Sequence, residues 1–337
     1  MSQFRNLVFE GGGVKGIAYA GALDVLERQN ILPDIRRVAG TSAGAITAVL
    51  VALGAGSTEV EQIVGGTHFR AFMDDSFGVI RDIDRLVEHY GWYKGDAFAD
   101  WMRKQIYALS GDSEITFAQL QARAGQPGSK FRDLFVVGTN LTLQMPTVYS
   151  AKTTPDLPLW QAARVSMSIP LFFAAVFRSN QVLVDGGVTW NYPLDLFDDR
   201  EYVAANDPWQ PPAVAYPTVY DANQIYNKQT LGFRVDTQDE IKAEKESWRL
   251  PPAQIDHFVD YLKSLVGFMN DMANKLHLHD NDWHRTVAID AAGVRATEFD
   301  LSDAKVAMLV DNGRKGTAEY LQWFLDHNAS PAPLNRI

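Results

Sequence analysis

Two glycine-rich corners near the N-terminus constrain the fold of this chain more than any other feature. The corners Gly11–Gly16 and Gly40–Gly44 each follow a short apolar run, and each precedes a run with helical spacing. Apolar run, tight turn and helix in succession predict a parallel sheet with helices packed on its faces. The ends of neighbouring parallel strands lie side by side, and ligands bind at that edge. We therefore expect the two corners to be adjacent at a ligand-binding edge.

The second corner, Gly40-Thr41-Ser42-Ala43-Gly44, matches the pattern G-x-S-x-G. Between a strand and a helix this pattern is typical of a nucleophile elbow, in which small neighbours allow a sharp turn that exposes the serine hydroxyl. Ser42 is therefore a candidate nucleophile. Serine is also a common helix N-cap, so a capping role for Ser42 is the alternative.

The first corner fits two templates with different chemistry. Its glycines satisfy G-x-G-x-x-G, the dinucleotide fingerprint, and Asp34 lies roughly where an acidic ribose partner would be. However, Asp34 precedes the second apolar run, whereas a ribose partner belongs at the end of that run. The alternative is an oxyanion hole, in which backbone N–H groups, the Lys15 charge and a helix N-terminus stabilise negative charge. This loop consists of Gly11, Gly12, Gly13, Val14, Lys15 and Gly16.

An aspartate follows a later apolar run. Val182–Val184 predicts a strand, and the sequence Asp185-Gly186-Gly187 comes directly after it. Because the glycines let the chain turn away, the Asp185 carboxylate can face Ser42 as its base. On its own, Asp-Gly-Gly is more often a simple turn.

In this order, the three motifs resemble the signature of the patatin-like phospholipase family: a G-G-G-x-R/K-G loop, a G-x-S-x-G elbow and a D-G-A/G motif. The stretches Ala163–Pro170 and Asn191–Pro193 look similar to bacterial members, and the resemblance covers at least residues 6 to 197. Ser166 and Ser168 lie in the first of these stretches but outside any elbow, so we expect structural roles for them. The chain has Lys15 where many members have arginine and Gly187 where they have alanine, and neither departure removes a catalytic group.

The resemblance implies a three-layer α/β/α sandwich with a mostly parallel central sheet and catalytic residues at the C-terminal strand ends. It implies lipid ester hydrolysis through a serine acyl-enzyme, without a cofactor or metal. Ser42 would be the nucleophile, Asp185 the proton acceptor and Gly11–Gly16 the oxyanion hole. A carboxyl group with an ordinary pKa of about 3.9 is a weak base for a serine, so Asp185 must gain basicity from desolvation.

Composition limits the partners. The formal net charge of -10 argues against a nucleic-acid partner and against simple electrostatic docking on anionic lipid. Cysteine is absent, which excludes disulfides and thiolate chemistry. The N-terminus lacks the apolar core of a signal peptide, and the longest apolar tract, Ala43 to Ala55, is shorter than the about 20 residues that span a bilayer.

We therefore expect a cytoplasmic protein that meets membranes only peripherally and transiently. Its expected partner is a phospholipid or other lipid ester substrate. The sequence leaves a protein activator, a homo-oligomer and non-classical secretion open.

Hydrophobic periodicity predicts the other elements. We expect one domain over residues 1–337, with a core from residues 6–197 and 231–330. The expected strands are Phe131–Thr139, Thr147–Tyr149, Leu231–Val235 and Thr286–Ile289. The expected helices are Ile17–Arg28, Leu159–Met167, Ser302–Leu325 and a helical region over Ser57–Ala124 that includes Ile80–Tyr90 and Phe98–Leu109.

Two segments are candidates for a lid. Residues 198–230 are rich in proline and lack periodicity, as in functional loops, although an irregular surface excursion is the simpler interpretation. Residues 252–279 predict a long amphipathic helix. Such a helix can face lipid, but packing against the sheet explains its apolar face more simply.

Two other functions fit parts of the sequence. An α/β-hydrolase-type Ser-His-Asp esterase would take a histidine from among His257, His277, His279, His284 and His327. None of these lies in a recognisable motif. The spacing of His277, His279 and His284 does not match a zinc site. The other alternative is a non-catalytic dinucleotide-binding protein that uses Gly11–Gly16.

Overall fold

The computed structural model describes residues 3–72, 90–203, 225–237, 240, 255–278 and 280–326. Within these residues an eight-stranded sheet has the order β10-β9-β1-β2-β4-β8-β7, and β5 pairs with β4 beside this path. Its strands are β1 Asn6–Phe9, β2 Arg37–Thr41, β4 Asp133–Asn140, β5 Met145–Tyr149, β7 Val176–Arg178, β8 Gln181–Asp185, β9 Thr230–Asp236 and β10 Thr286–Asp290. The strands β3 Gly91–Tyr93 and β6 Leu171–Phe173 form a separate two-stranded sheet.

The central sheet is parallel from β10 to β4 and antiparallel beyond it. The pairs β10–β9, β9–β1, β1–β2 and β2–β4 are parallel. The pairs β4–β8, β8–β7 and β4–β5 are antiparallel. The expectation of an α/β fold with a mostly parallel sheet is confirmed, and the antiparallel part includes the strand that ends in Asp185.

Side chains from alternate positions of the strands enter two clusters, as a period of two requires. Leu7, Phe9 and Val38 join the main core, whereas Val8 and Ala39 pack into a smaller cluster on the opposite face. The short apolar runs that predicted β1 and β2 are therefore strands buried on both faces, as is usual in parallel sheets.

Helices contribute most of the main core. They are α1 Ala18–Arg28, α2 Ala43–Ala52, α3 Ser57–Val60, α4 Asp96–Ser110, α5 Phe117–Ala124, α6 Leu159–Ser166, α7 Phe258–His277 and α8 Asp303–Leu325. The main core draws residues from Phe4 to Leu321. That the chain forms one domain stays a prediction. No helix among the described residues is long and apolar enough to cross a membrane.

The expectation of helical structure over Ser57–Ala124 is wrong at Gly91–Tyr93, which is strand β3 and pairs with β6. Three residues are too few to show alternation, and the pairing partner lies far along the chain. The expected helix Ile80–Tyr90 falls outside the described residues except for Tyr90, as does most of the candidate lid loop 198–230. The long helix expected over 252–279 is α7, and its first turn is capped by Asp260, whose Oδ2 accepts a bond from His257 N.

Candidate active site

Ser42 occupies a sharp turn between β2 and α2. Its backbone has φ 53° and ψ -127°, a combination that non-glycine residues rarely adopt. Such strain costs about 1–3 kcal/mol and is found at functional sites. A Cβ at Gly44 would lie 2.3 Å from Phe9 O, so only glycine lets the elbow pack this closely on β1. Ser42 stands at the N-cap position of α2, but its side chain makes no capping bond, so the alternative of a side-chain capping role is wrong.

Asp185 lies level with Ser42 across the sheet. Thr41 pairs with Val137 on β4, and the next β4 residue, Gly138, pairs with Asp185 on β8. Asp185 is buried, and its Oδ1 accepts a hydrogen bond of 2.7 Å from Gly187 N. Its Oδ2 is also buried and has no hydrogen-bond partner among the described residues. This oxygen is a free acceptor.

Burial raises the pKa of Asp185 from its ordinary value to about 7. The Gly187 N–H and the Ser42 hydroxyl act in the opposite direction and lower this pKa. The hydroxyl is therefore close to the carboxyl, yet Ser42 Oγ contacts Met167 Sδ at 3.8 Å and makes no direct hydrogen bond to Asp185. Catalytic hydrogen bonds are often long in unliganded enzymes and shorten when substrate binds.

The segment Ser166–Ser168 holds the backbones of both residues. Ser166 Oγ accepts a bond of 2.8 Å from Ser42 N and donates one of 2.6 Å to Val137 O. Ser168 O accepts a bond of 2.9 Å from Asp185 N. Sequence reasoning missed this role of Ser166, since the bond to Ser42 joins residues 124 positions apart.

The glycine loop after β1 packs against the elbow. A Cβ at Gly11 would lie 3.1 Å from the Ser42 Cβ. Gly11 N donates to Asn191 O at 3.0 Å, and Val14 N donates to Ala296 O at 3.0 Å. Among the described residues, by contrast, Gly12 N and Gly13 N have no acceptor. These two N–H groups are available to a ligand.

Lys15 points toward β9. Its buried Nζ lies 3.2 Å from Asp236 Oδ1 and 3.9 Å from Glu240 Oε2. Burial alone would lower the pKa of Lys15, but Asp236, Glu240 and Glu10 outweigh it and raise this pKa above its ordinary value. Asp236 largely balances the Lys15 charge, which leaves backbone groups as the main source of positive potential in the loop.

A buried network braces the loop from behind. Glu10, which directly precedes Gly11, pairs with Arg234 Nε through its Oε2 at 3.2 Å. Its Oε1 accepts bonds from Asn274 Nδ2 at 2.6 Å and from Asn191 Nδ2 at 3.3 Å. Strands β1 and β9, helix α7 and the segment after Asp185 thereby meet behind the glycine loop.

The dinucleotide interpretation fails on the position of Asp34. This residue ends a 3₁₀ turn, Leu32–Asp34, that precedes β2. The glycine loop follows β1, which is parallel to β2. The loop therefore lies at the C-terminal ends of the parallel strands and Asp34 at their N-terminal ends. A ribose bound at the loop could not reach Asp34.

The described histidines make other contacts. His277 Nε2 lies 3.1 Å from Thr189 O, and the ring stacks on Trp190 at 5.2 Å. Among the described residues no histidine hydrogen-bonds to Ser42 or Asp185, and no cluster of three metal-ligating side chains is present. Two of the eligible histidines, His279 and His327, lie outside the described residues.

Known proteins resemble this chain in sequence and in fold. An uncharacterised protein of Acanthamoeba polyphaga mimivirus is 26% identical over 97% of this chain and 96% of its own length. A probable lipid hydrolase of Invertebrate iridescent virus 6 is 24% identical over 57% of this chain and 63% of its own length. The crystal structure of VipD from Legionella pneumophila superposes with a TM-score of 0.58 at 17% identity, over 95% of this chain and 67% of VipD.

The sequence profile of the patatin-like phospholipase family matches residues 7–198, a range that contains the glycine loop, Ser42 and Asp185. This match spans more than half of the chain and confirms the resemblance found from the three motifs. The chain therefore belongs to the patatin-like phospholipase family and is a lipid acyl hydrolase.

Proposed function

We propose that the enzyme hydrolyses phospholipids or lysophospholipids through a serine acyl-enzyme, with Ser42 as nucleophile and Asp185 as proton acceptor. One observation carries this proposal: a strained serine elbow lies level with a buried carboxyl group whose Oδ2 is a free acceptor. A carboxyl group with a pKa of about 7 is half ionised at neutral pH and is basic enough for general-base work.

In the first half-reaction, Asp185 takes the Ser42 proton while Oγ attacks the ester carbonyl carbon. The N–H groups of Gly12 and Gly13 and the N-terminus of α2 stabilise the oxyanion that forms. Loss of one such donor typically costs about 3–4 kcal/mol of transition-state stabilisation. Collapse of the intermediate breaks the ester bond, and Asp185 returns the proton to the departing alcohol.

In the second half-reaction, Asp185 takes a proton from water, and the resulting hydroxide attacks the acyl-Ser42 ester. The tetrahedral intermediate collapses, Ser42 Oγ regains the proton from Asp185, and a fatty acid leaves. Asp185 alternates between base and acid in both halves, so no histidine is required.

The test compares wild-type enzyme with Ser42→Ala and Asp185→Asn. Fatty-acid release from mixed phospholipid vesicles and labelling by a serine-reactive fluorophosphonate are measured together. We expect wild type to do both and both variants to do neither, while circular dichroism shows that all three are folded. A Ser42→Ala variant that releases fatty acid at the wild-type rate would exclude this mechanism.

The Ser-His-Asp alternative is tested by separate substitutions of His257, His277, His279, His284 and His327 by glutamine. Under the proposed mechanism each variant keeps most of the wild-type activity. A loss of activity at one histidine that is comparable to the loss in Asp185→Asn would instead support the histidine mechanism.

A further inference from the structure

An exposed apolar patch surrounds the turn between β4 and β5. Leu141, Leu143 and Met145 in this hairpin are 45%, 54% and 50% exposed. Phe177 on β7 and Tyr90 beside β3 are each 51% exposed, and their rings lie 5.6 Å apart. We call these five residues the hairpin patch.

Leu141 of the hairpin and Phe177 of β7 lie on the two sides of β8, whereas Met145, which pairs with Asn140, is on the opposite face of the sheet. Leu141 N donates to Val182 O at 2.9 Å, and Val182 pairs with Phe177 across the antiparallel strands. Directly opposed residues of neighbouring strands point to the same face of a sheet. Leu141 and Phe177 therefore lie on one face, on either side of Val182.

The hairpin patch lies on the active-site side of the sheet. Gly138 is level with Asp185, and Leu141 directly follows Asn140, the last residue of β4. Three residues of extended strand cover about 10 Å. The patch is thus a short distance beyond the catalytic level, at the edge where the elbow opens.

The charge distribution around the patch suits a phospholipid surface. The segments that form it, residues 90–95, 140–151 and 171–184, contain none of the chain's 41 Asp and Glu residues. They do contain Lys94 and Arg178, both exposed. These segments are therefore less acidic than the chain as a whole, whose net charge is -10, and their two charged side chains can attract lipid phosphates.

Hydrogen bonds within the described residues hold part of the turn backbone. Leu143 N donates to Asn140 Oδ1 at 3.0 Å, and Val182 N donates to Thr142 Oγ1 at 2.9 Å. A polar backbone group without a partner would be costly to move into an apolar phase. These bonds can persist when the turn enters the boundary between headgroups and acyl chains.

We propose that the hairpin patch docks the enzyme on a phospholipid bilayer, with Leu141, Leu143 and Met145 inserted at the acyl–headgroup boundary. Phe177 and Tyr90 lie beside the inserted turn, and Arg178 contacts lipid phosphate. The proposal rests on the proposed function, because it assigns the bilayer that holds the substrate to a surface next to Ser42.

The experiment uses a triple variant, Leu141→Ser with Leu143→Ser and Met145→Ser, and phosphatidylcholine vesicles. Binding is measured by vesicle sedimentation, and activity is measured on the vesicles and on a monomeric short-chain nitrophenyl ester. We expect vesicle binding and vesicle hydrolysis to fall about tenfold or more, because interfacial binding follows the apolar area inserted. Hydrolysis of the soluble ester should stay near the wild-type rate.

The control variant carries Tyr107→Ser and Leu325→Ser, which remove apolar residues that are 62% and 69% exposed outside the patch. We expect this variant to bind vesicles like wild type. A second measurement places a fluorophore in the patch: because the chain has no cysteine, Leu143→Cys can be labelled at that site alone with a polarity-sensitive dye, whose emission should shift to shorter wavelength when vesicles are added. This readout does not depend on catalysis or on the stability of the triple variant.

The outcomes separate the two proposals. If wild type binds vesicles through the patch but hydrolyses neither substrate, the proposed function fails and the docking surface stands. If the triple variant binds vesicles like wild type, or the emission of the dye on Leu143→Cys does not shift, the docking surface is wrong. A change of oligomeric state in the triple variant with unchanged vesicle binding would assign the patch to self-association instead.

Discussion

Asp185 combines deep burial with a need for negative charge. Burial raises its pKa to about 7, and the Gly187 N–H and Ser42 hydroxyl keep that pKa from rising further. A less buried carboxylate would have an ordinary pKa and would be too weakly basic to take a serine proton. A carboxyl group buried without any hydrogen-bond donor would have so high a pKa that it stayed protonated. The pKa of Asp185 lies between these two extremes.

The pH dependence of the reaction should report this balance. Because only the carboxylate form of Asp185 accepts the Ser42 proton, we expect kcat/KM on a soluble ester to rise with pH through an apparent pKa of about 7. The rate of fluorophosphonate labelling should follow the same curve. A profile that is flat from pH 5 to about 9 would show that Asp185 is not the base.

Ser166 should act on the reaction only through the position of Ser42. In Ser166→Ala the buried Ser42 N–H loses its acceptor, a change worth about 1–3 kcal/mol. We expect kcat to fall about 10- to 100-fold with little change in KM.

Ser168→Ala is the matched control, because Ser168 is equally buried and its backbone bond to Asp185 does not depend on its side chain. We expect its kcat to stay within a few-fold of wild type, even if its stability falls as much as that of Ser166→Ala. Equal losses of kcat in the two variants would show that Ser166 has no positioning role.

Sequence reasoning identifies Ser42 and Asp185 as candidates because their signals are local: each lies in a short motif at the end of a strand. The contacts that surround them are not local. The Lys15 pair with Asp236 joins residues 221 positions apart, and the Glu10 bond to Asn274 joins residues 264 apart. No pattern within a window of sequence carries such contacts, so the direction of the Lys15 side chain could not be predicted.

Among the elements, the strands of the parallel sheet were predicted to within about two residues, because burial on both faces makes them continuously apolar. The direction of β8 relative to β4 could not be predicted, because the apolar pattern of Gln181–Asp185 fits a parallel and an antiparallel sheet equally well. Strand β3 was missed for a different reason: it is stabilised by β6 and not by its own pattern.

The contact between α1 and α8 depends on two glycines. A Cβ at Gly21 would lie 1.8 Å from Val310 O, and one at Gly313 would lie 1.9 Å from Ala18 O. Backbone atoms cannot move aside as a flexible side chain can. We expect Gly21→Ala and Gly313→Ala each to lower the free energy of unfolding by about 1–3 kcal/mol, measured by urea denaturation.

Gly267→Ala in α7 is the control for this pair, since a Cβ at Gly267 meets no atom within 4 Å. Alanine favours a helix over glycine by about 0.5–1 kcal/mol, so we expect this variant to be as stable as wild type or slightly more stable. If Gly21→Ala stabilised the protein in the same way, the close helix contact would be wrong.

In the molecule as a whole, residues far beyond the catalytic motifs support the site. The family match ends at residue 198, yet Arg234, Asp236 and Asn274, which brace the glycine loop, all come from the C-terminal part of the chain. Strand β9 lies next to β1 and brings Arg234 and Asp236 behind the loop. The site is thus completed only when the C-terminal part of the sheet is in place.

The buried base should also make stability depend on pH. The pKa of Asp185 is about 7 in the folded state against an ordinary 3.8. Between these values the unfolded chain releases this proton while the folded chain keeps it. The free energy of unfolding therefore falls by about 1.4 kcal/mol per pH unit as pH rises from about 4 to about 7, and the contribution of Asp185 is constant above that range.

Asp185→Asn removes this penalty, because an amide does not ionise, while its oxygen can still accept the Gly187 N–H. We therefore expect the melting temperature of Asp185→Asn to match wild type near pH 4 and to exceed it increasingly up to pH about 7. A difference between the two proteins that does not change with pH would mean that Asp185 is solvated and has an ordinary pKa, and the base of the proposed mechanism would then lack its source of basicity.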